Sequence, residues 1–292
     1  MKPWIVMRSH NDLPLVAHTL AMLARQRLPH ELLVMDNASA DGTRAEAAKY
    51  TAHIIDIPAG AYVPGRVLNQ AMARTDGEFV VFLNSDCTPQ HDDWLARLLA
   101  GFPNEKTAAV FGRQIPRPDC TPLFAKDTED TYGDGARQKY WRHCFSMAAS
   151  ALRRTCWLAE PFNERIQYSE DIAWTWRMRQ LGWQIAYVPD AIVMHSHNYT
   201  LRQWYRRQYG EGKAEALFYD WSAWDASWLR YALLPCAHQV LNDWRFALPR
   251  GYLRSALYAP ALRLAQLFGR RHGFRDGQRA RITTPGASHA SA

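Results

Sequence analysis

Cysteine is scarce and unpatterned in this sequence. Five occur, Cys87, Cys120, Cys144, Cys156 and Cys236, an odd number with no C-x-x-C pair. That argues against a disulfide framework and a structural zinc site, and makes a reducing cytosol the simplest home. Long apolar runs are missing as well. None approaches the roughly 20 residues needed to span a bilayer. The N-terminal MKPWIVMRSHND holds only four apolar residues together, too few for the core of a signal peptide. The expected location is cytoplasmic, soluble or peripheral on the inner face of the membrane. No G-x-G-x-x-G follows the first strand signal, so a dinucleotide cofactor is not expected. Acid is short in one region only. Residues 1–200 carry 21 Lys+Arg and 22 Asp+Glu, residues 201–292 carry 14 and 6, and the net charge of +7 is therefore −1 plus +8.

What is present reads first as an α/β pattern. Apolar runs at 4–9, 31–37, 53–58, 78–85 and 108–116 are strand signals. Helical spacing separates them at 13–28, from Asp41 as a candidate N-cap, at 64–75 and at 91–102. Strands joined by single helices imply right-handed crossovers and a mostly parallel sheet, buried on both faces. Residues 117–150 are polar and rich in Pro, Gly and Asp, and read as a long loop. Helical and extended signals return from Cys144, and from about 199 the chain reads helical and aromatic. The expected divisions are 1–115 and 116–198 as two halves of an α/β domain, 199–280 as a helical appendage, and 281–292 as a disordered tail.

An open parallel sheet binds ligands at the carboxyl ends of its strands. Polar groups stand at three such ends: Arg8-Ser9-His10, Asp36-Asn37 and Asn84-Ser85-Asp86. Any one alone is explained as a turn or cap. Three together favour a site. Asp36 is placed where a nucleotide-binding sheet often presents an acid to a ribose or base. With no glycine-rich phosphate loop, a divalent metal on Asp86 would balance diphosphate charge.

The segments MRSHN, VMDNASADGT, VLNQAMARTDGEFVVFLNSDCTP and SEDIAWTWRMRQLGWQIAYVPDAIVMHSH, in this order over residues 4 to about 197, resemble an inverting family 2 glycosyltransferase of the GT-A fold. They are most similar to the bacterial rhamnosyltransferase-like branch, which acts in cell-surface polysaccharide or glycolipid synthesis. The resemblance implies a GT-A nucleotide-binding domain followed by a mainly helical C-terminal region. It implies a nucleoside diphosphate sugar donor, a glycan or lipid-linked acceptor, and Mg²⁺ or Mn²⁺. Ser9, Asn11, Asp36, Asn69, Asn84, Ser85 and Arg113 match the nucleotide-sugar side. Asp86 matches the metal ligand of the family's Asp-x-Asp, whose first acid is Asn84 here. His195 matches a histidine that joins the metal or diphosphate, with His197 its near competitor. Asp171 matches the general base, with Glu170 beside it, although two acids opening a helix also complement its dipole. Arg113 and Gln114, at the fifth strand end, face the acceptor, face the phosphates, or anchor a loop.

The last third interleaves Trp204, Trp221, Trp224, Trp228, Trp244, Tyr205, Tyr209, Tyr219 and Tyr231 with Arg202, Arg206, Arg207, Lys213 and Arg230. Such a mixture suits an anionic membrane surface. It equally suits aromatics packed on the protein itself, since Arg254 and Arg263 interrupt any apolar face over 251–269. Three function classes compete. A transferase uses every placed carboxylate. A nucleotide-sugar-binding protein without turnover is compatible with the weakened Asn84-x-Asp86. A nucleic-acid binder explains only the basic region, and no nucleic-acid partner is expected.

Overall fold

The computed structural model describes residues 2–138, 143–219 and 229–283. The chain divides into two compact units. The first comprises residues 1–119, 127–166 and 170–196, and the second residues 120–126, 167–169 and 197–292.

The first unit is built on an eight-stranded sheet. Its strands are β1 (Trp4–Ser9), β2 (Glu31–Asp36), β3 (Ile54–Asp56), β4 (Phe79–Asn84), β5 (Thr88–Pro89), β6 (Thr107–Ile115), β7 (Ala149–Arg153) and β8 (Gln184–Met194). Their order is β3-β2-β1-β4-β7-β6-β8-β5. β1 lies parallel to both β2 and β4, so the order reverses direction at β1. β7 runs antiparallel to β4 and β6, and β5 antiparallel to β8. Six strands therefore share one direction, and the start of β7 falls at the edge where those six end.

The expected apolar runs form the sheet because both faces are covered. Val6, Phe82 and Phe111 pack on one side with Leu68, Met72 and Trp174, while Ile5, Val34 and Val81 pack on the other with Leu20, Leu23 and Trp94. The covering helices include α1 (Leu15–Ala24), α2 (Thr43–Ala47), α3 (Pro64–Arg74) and α4 (Trp94–Ala100). Asp41 acts at the start of α2, but one residue ahead of Gly42, the cap itself. Its carboxylate accepts the Thr43 N–H at 2.9 Å and the Leu13 N–H at 3.0 Å.

One expectation changes. Residues 117–150 are not one loop, because Pro122–Tyr132 forms a helix, α5, started by a proline whose fixed φ suits a first turn. The two expected halves share one sheet, since β6, β7 and β8 pair into it beside β4. The helices α6 (Arg154–Ala159) and α7 (Glu170–Gln180) complete this unit.

The second unit is helical, as its composition suggests. It contains α8 (Leu201–Phe218), α9 (Leu234–Ala247) and α10 (Leu253–Thr283), with a π turn over Leu229–Leu233 and a 3-10 turn over Leu248–Arg250. α8 and α10 run side by side. Gly269 lies against the Tyr205 carbonyl, Gly273 against Tyr209 and Gly277 against Lys213, so the contacts advance together and the helices are parallel. A side chain at Gly273 would run into the Tyr209 carbonyl, which is why glycine recurs there every fourth residue.

Asp243 is fully buried and takes a two-pronged pair from Arg263, Nε to Oδ2 at 2.7 Å and Nη2 to Oδ1 at 2.9 Å, with Lys126 at 3.2 Å. Of the aromatics, Trp204 stacks with Tyr199 and meets Phe124 edge-on. Tyr219 is buried, and the Tyr205 and Tyr209 hydroxyls pair with His272 and Asp276. These rings hold the helices to one another. Trp221, Trp224 and Trp228, the side chains of Arg230 and Tyr231, and the tail beyond 283 lie outside the described residues.

Candidate active site

The carboxyl edge of the sheet is laced by short polar bonds. Ser9 Oγ donates to Asp36 Oδ1 at 2.9 Å, and Ser39 donates to the same carboxylate through its N–H at 2.9 Å and its hydroxyl at 2.7 Å. Asn11 Oδ1 accepts the Ala40 N–H at 2.8 Å, and the Asn11 N–H donates to Ser39 Oγ at 3.0 Å. Asn11 and Ala38 both have positive φ, 52° and 49°, an unfavourable state for residues with a Cβ that these bonds hold in place. Asp36 is only 1% exposed. With its oxygens committed to three donors it shapes the loop between β1 and β2, and the surface open to a ligand there is Asn37 to Ala40.

At the point where strand order reverses, Arg8 bridges two neighbours. Its Nη2 donates to Asn84 Oδ1 at 2.9 Å and its Nη1 pairs with Glu170 Oε1 at 3.2 Å. Asn84 therefore serves the sheet edge from the position where an acid was expected. Glu170 is buried. Burial, and then the charge of Asp171, push its carboxyl up to about 7 against the pull of Arg8.

Asp171 is placed differently. It is half-buried, with Oδ2 accepting the Met147 N–H at 2.9 Å and Oδ1 the Ile172 N–H at 2.8 Å. Met147 precedes β7, whose reversed direction brings it to this edge. Ser169, immediately before the two acids, has φ 57°. Adjacent helical residues point about 100° apart, and the two acids accordingly divide. Glu170 is shut into a pair with Arg8, while Asp171 is oriented by backbone and keeps part of its surface open.

The third cluster forms at the ends of β4, β6 and β8. Asp86 Oδ2 lies 3.5 Å from His195 Nε2 and 3.7 Å from Arg117 Nη1, and Cys87 completes a group whose ligand atoms lie within 4.8 Å of one another. Burial, and then the charge of Asp86, push the Cys87 thiol well above its usual range, so it remains a thiol at 3.8 Å from Asp86 Oδ1. His195 Nδ1 is 2.7 Å from Gln114 Oε1. That oxygen can only accept, so Nδ1 carries a proton and Nε2 is the ring nitrogen turned toward Asp86. Gln114 is itself fixed by donating to Ser146 Oγ at 2.9 Å. A carboxylate oxygen and an imidazole nitrogen facing each other offer two ligand atoms to a divalent cation. One oxygen and one nitrogen ligand fit Mg²⁺ or Mn²⁺ if phosphate and water fill the remaining positions. Buried donors without hydrogen-bond partners stand at the same edge, Arg117 Nη1 and Arg113 Nε, and phosphate oxygens would satisfy them. Ser85 donates its hydroxyl to Asp12, which also accepts the His10 N–H at 2.9 Å, and burial raises the Asp12 carboxyl.

The remaining expectations sort cleanly. Asn69 is a clamp between α3 and the chain after α6. Its amide donates to Phe162 O and Glu164, and its oxygen accepts from Trp157 Nε1 and the Phe162 N–H. Every polar position of Asn69 is used within the fold. Arg113 pairs with Glu129 at 3.2 Å. His197 belongs to the second unit and lies against Tyr199, so it does not compete with His195. Asp12 and Arg117 were not among the expected ligand-side residues. Their signal was position, since each sits within a few residues of a strand's carboxyl end.

Comparison with known proteins follows the same lines. Residues 4–160 match the family model described as glycosyl transferase family 2. The chain is 34% identical to the O-antigen chain rhamnosyltransferase WbaN of Salmonella anatum, the match covering 63% of this chain and 62% of that protein. It is 28% identical to the O-antigen chain rhamnosyltransferase RfbN of Salmonella typhimurium, over 77% of this chain and 74% of the relative. Among solved structures, the mannosyltransferase PcManGT from Pyrobaculum calidifontis, in complex with GDP-Man and Mn²⁺, is similar in fold. Its TM-score is 0.57 at 17% identity, covering 98% of this chain and 77% of that one.

Proposed function

This chain belongs to glycosyl transferase family 2 and has the GT-A fold, and from that premise we propose that it moves a sugar from a nucleoside diphosphate sugar to an acceptor hydroxyl with inversion at the anomeric carbon. The observation that carries the reading is the pairing of Asp86 with the Gln114-oriented face of His195, 3.5 Å apart at the sheet edge. Those two side chains would hold the divalent ion, which when bound neutralises the diphosphate as it leaves. Arg117 and Arg113 add donors for phosphate oxygens, and the loop from Asn37 to Ala40 offers the nucleoside its surface. Asp171 takes the proton of the attacking hydroxyl, because its carboxylate is oriented by two backbone donors and partly open, while Glu170 is spent on Arg8. The two Salmonella relatives are O-antigen chain rhamnosyltransferases by name. By extension the donor carries rhamnose or a similar hexose, and the acceptor is a growing surface glycan on a lipid carrier at an anionic membrane.

The test is a panel of nucleotide sugars assayed for nucleoside diphosphate release, with and without chelator. The reading expects one donor class to turn over and chelator to stop it. Tight nucleotide binding with no release for any donor and acceptor would leave a binding protein. Equal turnover in chelator would remove the metal from the mechanism.

A further inference from the structure

Among the described residues, the helical unit exposes one long apolar face. On α10, Leu253, Leu257, Ala261, Leu264 and Phe268 are all exposed, Leu257 by 83% and Leu253 by 63%. At about 100° per residue their spacing keeps them in a stripe about 80° wide and about 22 Å long. The turn before it exposes Leu248 and Tyr252. Arg263 lies about 80° outside this stripe and is turned onto Asp243.

The charge around the stripe has one sign. Residues 244–257 include Arg245, Arg250 and Arg254, all exposed, and no acid. From 229 to 275 the sequence holds a single acid, Asp243, and it is buried and paired. Beyond Phe268 the face becomes basic, where Phe268, Arg271, His272 and Arg275 line a concavity of about 350 Å³. No helix among the described residues is long and apolar enough to cross a membrane.

We propose that this face is where the protein sits on an anionic lipid bilayer. α10 lies along the headgroup layer, its leucines sink among the upper acyl carbons, and the flanking arginines meet lipid phosphates. A helix with an apolar stripe and a basic border takes that position without spanning. A second copy of this chain fits poorly. A two-fold contact through the stripe would set Arg250 and Arg254 against a patch with no exposed acid in its own sequence neighbourhood. The inference stands on α10 itself, and it deepens the proposed function by naming the surface to which a lipid-borne acceptor would be delivered.

Full-length protein would be sedimented with phosphatidylcholine vesicles and with vesicles that also contain phosphatidylglycerol. Wild type should pellet with the anionic vesicles at low salt, lose most binding as salt rises, and keep a salt-resistant remainder. Leu253→Gln with Leu257→Gln replaces two side chains that are mostly exposed, so the fold should survive, as circular dichroism would verify. This variant should lose the salt-resistant binding by at least about tenfold. Arg250→Gln with Arg254→Gln should lose the salt-sensitive part instead. Turnover with a water-soluble acceptor should be unchanged in both, which separates this inference from the transferase reading. Three results would each overturn it: no pelleting of wild type at low salt, unaltered binding by the leucine variant, or a vesicle-free dimer that the leucine variant dissociates.

Discussion

The two units hold buried acid with different partners. In the helical unit the buried carboxylates among the described residues are met by arginines: Asp243 by Arg263 in a two-pronged pair, and Glu215 by Arg270. At the sheet edge, Glu170 has such a partner in Arg8, but Asp86 faces His195 and Arg117 at 3.5 and 3.7 Å, and the half-buried Asp171 is held by backbone N–H groups. The comparison teaches that a buried acid met by a matched guanidinium reads as architecture, and that an acid met by a histidine or by backbone donors is the place to test for function.

Four measurements would break or sharpen that contrast. The largest effect should come from Asp171→Asn, which keeps the shape but not the basicity. Transfer should fall on the order of 10²–10⁴-fold while donor binding by calorimetry stays nearly constant. Turnover close to wild type would make Asp171 a helix cap and place the base elsewhere. Next, Asp243→Ala strands Arg263 and Lys126 in a dry interior and should cost about 3–5 kcal/mol in denaturant unfolding. A loss near zero would mean that the buried pair is not the fixed architecture described above. Third, Gly273→Ala places a methyl on the Tyr209 carbonyl and should destabilise by about 1–3 kcal/mol as the helices part. Its metal-dependent nucleotide affinity should remain that of wild type.

The smallest effect concerns Glu170. Its carboxyl is raised to about 7 in the folded protein from an ordinary value of 4.5, so the folded state binds the proton more tightly than the unfolded one. The stability this supplies is complete below pH 4.5 and is lost as pH rises through 7. Glu170→Gln should flatten the decline in melting temperature across that window. An unchanged slope would place the proton elsewhere in the cluster.

Much of the sheet was legible because parallel strands buried on both faces leave long apolar runs, and because ligand chemistry gathers where those runs end. Asp86 and His195 were singled out on that basis together with family resemblance, and the fold brings them within 3.5 Å of each other. The roles inside the cluster were less legible. Whether Asp36 or Asn69 faces a ligand or ties a loop depends on which hydrogen-bond partners lie across the fold, and Phe162 is far from Asn69 in sequence. Arg117 looked like one more residue in a proline-rich loop until β6 and β8 brought Ser196 and Asp86 to it. On α10 the sequence was misleading. Arg263 counted as a polar interruption because its partner, Asp243, lies on another helix.

The glycines at 269, 273 and 277 recur at the repeat of the helix itself, which bears on how the pair finds its alignment. Sliding α10 by one turn, about 5.4 Å, moves each of the first two glycines close to the place of the next, so the repeat specifies closeness but barely specifies position. The information that selects one alignment must come from a group without that period. Tyr205 with His272 and Tyr209 with Asp276, joined at 2.8 and 2.7 Å, repeat at the same four-residue interval, whereas Glu215 with Arg270, joined at 3.0 Å, does not. The glycines act as a track and the Glu215–Arg270 pair as its stop, and a chain stripped of that pair would keep two touching helices while loosening its single register.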